Sequence, residues 1–118
     1  MIVPSDKDYQ DTKLIKQGKA EMKSDFKPLC DWINKEYGIK PINIIYDVIY
    51  SGGRIPRLQV VLEFWKEKTF FLEPFTYPNQ AIANFDGKKQ QAIANQFETT
   101  LFELGLNTKK SIWNRWQT

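Results

Sequence analysis

The chain contains no histidine and only one cysteine, Cys30. Without histidine there can be no Ser-His-Asp or Cys-His site and no His-ligated zinc. With one cysteine there is no internal disulfide and no zinc held by several thiolates. The chemistry left rests on carboxylates, Lys, Tyr or Arg, with an oxygen-ligated ion such as magnesium as the metal class still open. A thiolate nucleophile needs a base beside it, and Cys30 falls on the apolar face of an expected helix, so a buried packing role is expected. Long apolar runs are missing too. The longest, Ile42–Tyr50 and Leu58–Trp65, are strand-length and carry Asp47 and Glu63, well short of the roughly 20 residues of a membrane span. Residues Met1 to Asp6 lack the basic start and apolar stretch of a secretory signal, so a cytoplasmic location is expected. No repeat and no Pro/Gly/Ser-rich linker divides the chain.

What is present suits one core. The chain has 118 residues, 42% hydrophobic and 14% aromatic, which predicts a single α+β domain over 1–118, with 1–23 as a loosely packed helical arm. Its Asn-, Lys- and Ile-rich composition reads as bacterial. The net charge of +3 is unevenly placed, because residues 88–118 carry five cations against two acids. A weak basic patch is therefore expected near the C-terminus.

Periodicity supplies the elements. Leu14, Ile15, Gly18 and Met22 give a thin helical stripe over 6–22. Phe26, Leu29, Cys30, Ile33 and Tyr37 mark a second helix, with Pro28 in its first turn and Gly38 as its left-handed stop. Ile42, Ile44, Tyr46, Val48 and Tyr50 alternate with their neighbours, as do Leu58, Val60, Leu62 and Phe64. With Ser51-Gly52-Gly53 between them, these runs predict an antiparallel hairpin. Lys66 to Lys68 reads as a turn, and Thr69–Phe75 as a third strand ended by Pro74. Residues 76–86 read as a loop with a helical turn around Gln80–Ala83. Asp86 is an N-cap signal for a helix through Ile93, Phe97, Leu101 and Leu104, which Gly105 and Leu106 close in a Schellman arrangement. The tail Ser111–Trp116 fits either a fourth strand or a short helix. The expectation is an antiparallel meander of three to four strands with helices packed on one face, in the order α-α-β-β-β-α-β/α.

Three constellations follow from this order. The first is a resemblance: helix, three strands, helix and strand is similar to the core of restriction-endonuclease-like nucleases, whose motif pairs an acidic residue with Glu-x-Lys on the next strand. Here Asp47 and Glu63 occupy the strands, but Trp65 stands where the motif needs Lys. Lys66, one residue later, belongs to the opposite face, so no catalytic residue and no metal ligand is assigned. The second constellation is the basic-aromatic tail. Lys109, Lys110, Trp113 and Arg115, joined by Lys88 and Lys89, offer cations and rings suited to single-stranded nucleic acid. The third lies on the sheet and at the hairpin tip: Tyr46, Tyr50, Arg54, Arg57 and Trp65, residue types enriched at binding hot spots. Gly52-Gly53-Arg54 lacks the following Lys-Ser/Thr and helix start of a phosphate loop.

With helices on one face only, the sheet cannot hide all its aromatics, and an exposed apolar patch marks a contact surface. The functional expectation is a non-enzymatic protein-binding module of the accessory, inhibitor or immunity type, without cofactor. Pairing with a second copy is its simplest form, nucleic-acid binding through the tail is the alternative, and a divalent-metal nuclease-like enzyme with an incomplete motif is the second alternative.

Overall fold

Alternation of apolar residues over Pro41–Phe64, interrupted once by glycines, dictates the centre of the molecule. The computed structural model describes residues 23–51, 55–75 and 79–117. In it, β1 (Pro41–Ser51), β2 (Ile55–Phe64) and β3 (Lys68–Leu72) form one antiparallel meander in the order β1-β2-β3. Ile44 stands opposite Leu62, Tyr46 opposite Val60 and Val48 opposite Leu58. Leu62 and Val60 in turn stand opposite Phe70 and Leu72. The register slips between Pro41 and Asn43, so Ile42 sits in a bulge. The third strand stops at Leu72, short of the expected Phe75. Phe75 has φ 66°, a left-handed backbone that cannot continue a ladder.

Three helices follow from local signals. α1 (Lys27–Tyr37) carries proline in its first turn and ends at Gly38, whose φ is 67° and whose N–H donates to the Asn34 carbonyl at 2.8 Å. α2 (Gly87–Glu103) is capped by Asp86, which accepts from the Lys89 N–H at 3.0 Å. Its far end is a full Schellman motif. The Leu106 N–H reaches the Leu101 carbonyl at 2.7 Å, and the Gly105 N–H reaches Phe102 at 3.0 Å. α3 (Lys109–Gln117) resolves the tail as helix. Thr108 and Ser111 bond reciprocally, side chain to backbone N–H, both at 3.0 Å. This is the capping-box arrangement, and it starts the helix.

The core is one cluster on one side of the sheet. Leu58, Val60, Leu62, Phe64, Phe70 and Leu72 from the strands meet Phe26, Leu29 and Ile33 of α1 and its cap, Ile93, Phe97 and Leu101 of α2, and Ile112 of α3. This is an α+β fold with its helices on one face. The expected helical turn at Gln80–Ala83 is replaced by an isolated bridge, in which Ile82 pairs with Phe71 beyond the outer edge of β3. The expected helix over 6–22 and the glycines of the reversal lie outside the described residues.

Candidate partner-binding face

A strand sends alternate side chains to opposite faces. The three described helices gather over the face of Tyr46, Val60 and Phe70, and among the described residues no helix covers the other face. Across that face the register aligns Ile45 with Val61, Val61 with Phe71, and Phe71 with Ile82. The result is one apolar row running across the sheet. Ile45 is 42% exposed, Phe71 45% and Ile82 60%, and Val61 is half-buried between them. Polar pairs bound the row. Asn43 donates to Glu63 at 3.4 Å on one side, and Asp47 stands opposite Gln59 on the other.

Trp65 extends the same face where β2 ends, and 60% of it is exposed. Its N–H is tied to the Lys40 carbonyl at 2.8 Å, so the ring is presented from a fixed point. The two residues that follow, Lys66 and Glu67, have φ of 62° and 60°. Neither is glycine or asparagine, so this turn stores backbone strain next to an exposed tryptophan.

The expected contact residues are only partly brought together. Trp65 is exposed on the open side. Tyr46 is corrected: it is 3% exposed and belongs to the core. It lies one position from Ile45, and one position along a strand exchanges the faces. Register puts Arg57 opposite Ile49, in the alternation of the open face, and Tyr50 opposite Pro56, in the alternation of Tyr46. Arg54 lies outside the described residues. Sequence reasoning missed Ile45, Phe71 and Ile82. The parity shared by Ile45, Val61 and Trp65 was a usable signal, whereas Ile82 sits in a loop and joins the row only through its bridge.

The basic set does not form one patch. Lys88 and Lys89 stand at the start of the 17-residue α2 and Lys109 and Lys110 beyond its end, and at 1.5 Å per residue the helix is about 25 Å long. Lys89 is engaged with Asp86 at 3.6 Å and lies over the Phe85 ring at 5.2 Å. Arg115 pairs with Asp25 at 2.7 Å, holding α3 to the start of α1. Trp113 lies within α3.

The two strand acids are also apart. Asp47 faces Gln59 and Glu63 faces Asn43, so the Ile45–Val61 pair stands between them, and their backbones are roughly 13 Å apart along the strands. Shared coordination of one ion requires oxygens within about 2–2.6 Å of it, a span this register does not offer. The helical tail also removes the last strand of the nuclease-like order. Cys30 is buried in α1. Burial, and then the nearby Asp31 carboxylate, push its thiol up to about 12, which makes the thiolate inaccessible at neutral pH.

No helix among the described residues is long and apolar enough to cross a membrane. No protein family, no curated protein and no solved structure matches this chain.

Proposed function

We propose that this chain is a non-catalytic protein-binding module that holds its partner against the open face of the sheet. The observation that carries this reading is the apolar row Ile45–Val61–Phe71–Ile82, with the exposed Trp65 beyond the Asn43–Glu63 pair where β2 ends. A contiguous apolar surface rimmed by polar pairs is a contact surface in a water-exposed protein. The surface is a sheet face rather than a concavity, which suits another protein better than a small ligand. Trp65 is the natural anchor, since tryptophan dominates interface energetics when a partner closes over it. An accessory, inhibitor or immunity-type protein needs only such a scaffold and one presented surface. A second copy of the chain, face to face, is the subsidiary form.

The test is photo-crosslinking in the native host. p-Benzoylphenylalanine at position 71 or 65 should give a discrete protein adduct. The same group at position 102, where Phe102 is 71% exposed on α2, should give none. Ile45→Asp and Phe71→Asp should abolish capture while the fold persists. Equal adducts from position 102, or capture unaffected by both variants, would overturn the assignment of this face.

A further inference from the structure

A different surface lies along the outer edge of β1. Among the described residues β1 is paired on one side only, with β2. Alternate residues therefore turn their N–H and C=O groups away from the sheet, and such an edge is a template for an added strand. Edge strands are commonly protected by lysines, prolines or bulges. The proline and the bulge of β1 lie at its first end, at Pro41 and Ile42, so the edge is open to a ladder from Asn43 onward, and its one charged residue is Asp47.

Beside this edge runs a groove of about 320 Å³. One wall is Lys23, Lys27 and Asp31, spaced four residues apart where the chain enters and follows α1, and the other is β1 from Pro41 to Ile44. Cys30 and the half-buried Ile44 give it an apolar lining. Among the described residues, neither the Lys23 nor the Lys27 ammonium has a carboxylate within ion-pair distance. The wall therefore offers two uncompensated cations at one end and an acid at the other.

We propose that this groove takes an extended peptide segment of a partner protein, added as a strand to the β1 edge. Acidic side chains of that segment face Lys23 and Lys27, and an aliphatic side chain lies over Cys30 and Ile44. Main-chain hydrogen bonds to an edge supply affinity, and the pockets for alternate side chains supply specificity. The asymmetric wall sets the direction of the peptide, since its acidic end avoids Asp31. A second copy's β1 is a poorer occupant, because it brings one acid, Asp47, against two lysines. This site shares no residue with the apolar row, so either surface can fail without the other.

A random octapeptide library displayed on phage, panned against the full chain, tests the proposal. Enriched sequences should place acidic residues beside an aliphatic one, and a synthetic peptide carrying that pattern should bind. The double variant Lys23→Glu, Lys27→Glu should weaken that peptide about tenfold or more and turn the enrichment towards basic residues. Both positions are exposed, so folding is not at risk. N-methylation of single peptide bonds should abolish binding at every second position only, the signature of strand addition. Phe71→Asp, on β3, should leave this affinity unchanged. The proposal is overturned by an absence of enrichment, by affinity indifferent to charge reversal, or by N-methylation without alternation. It is equally overturned by a dimer in sedimentation that forms through the same edge and excludes the peptide.

Discussion

Phe70 and Phe71 are neighbours in β3 that face opposite sides of the sheet, and replacing each in turn tests which face is open. Phe70 is fully buried, its ring 5.6 Å from Phe64 and 5.5 Å from Phe85. Truncation to alanine removes a whole core aromatic, at a cost of about 3–5 kcal/mol. The two edge-on ring contacts, at about 0.5–1.5 kcal/mol each beyond the buried area, favour the upper part of that range. A domain of this size is stable by only about 5–15 kcal/mol, so Phe70→Ala should leave a marginal or unfolded protein. Phe71 keeps 45% of its surface in water. Full burial of such a side chain is worth roughly 1.5–3 kcal/mol, so about half of that is at stake. Threonine retains the strand preference, and Phe71→Thr should cost about 1 kcal/mol or less, a shift of roughly 4 °C in the thermal midpoint. Urea unfolding followed by circular dichroism, with the slope required to stay constant, measures both. If Phe71→Thr costs as much as Phe70→Ala in the monomer, the open face is covered by the chain itself and the proposed function falls with it. If both cost little, the helices do not lie over Phe70 as described.

Other predictions concern the turn, the last helix and the thiol. The pair Lys66→Asn, Glu67→Gly relieves two left-handed non-glycine residues and should raise stability by about 1 kcal/mol; an unchanged or lower urea midpoint would show that the turn is not strained. Thr108→Val and Ser111→Ala should each cost about 1 kcal/mol, and the double variant little more than one of them, since both changes break one reciprocal cap; full additivity would refute the capping box. Cys30 in the folded state titrates far above its ordinary value of 9.0, at about 12. A raised value favours the protonated thiol, so its stabilising effect is complete below pH 9 and is lost progressively as the pH rises towards 12. Tyr37 is also raised, by burial and then by Glu36 and Asp86, and adds a loss of the same sign. The alkaline fall in the urea midpoint should therefore shrink, but not vanish, in Cys30→Ala, and an identical fall would place the thiol in solvent.

Much of the scaffold was decided by residues a few positions apart. Gly38 stops α1, Asp86 starts α2, and Gly105 with Leu106 closes it, each through bonds that span three to five residues. The hairpin is equally local, an alternation on both sides of one glycine pair. The tail stayed open between strand and helix on periodicity alone. Ile112, Trp113 and Trp116 satisfy both periods, but Thr108-x-x-Ser111 selects the helix by supplying partners for its first N–H groups.

The candidate sites depended on contacts the chain makes at a distance. β1 and β2 are apolar on both faces, so their composition suits either side to the core. Which side is covered depends on where α1, α2 and α3 come to lie together, and that sends Tyr46 inward and Ile45 outward. Ile82 joins the apolar row only because a bridge brings it to Phe71. Asp25 engages Arg115 across 90 residues, and the lysines beside the β1 edge line a groove only once α1 has docked there. Periodicity and capping act within a turn or two of chain, and the sequence by itself determined what they control. The choice between two apolar faces depends on the total area the helices can cover, a sum over distant segments that exists only in the packed molecule.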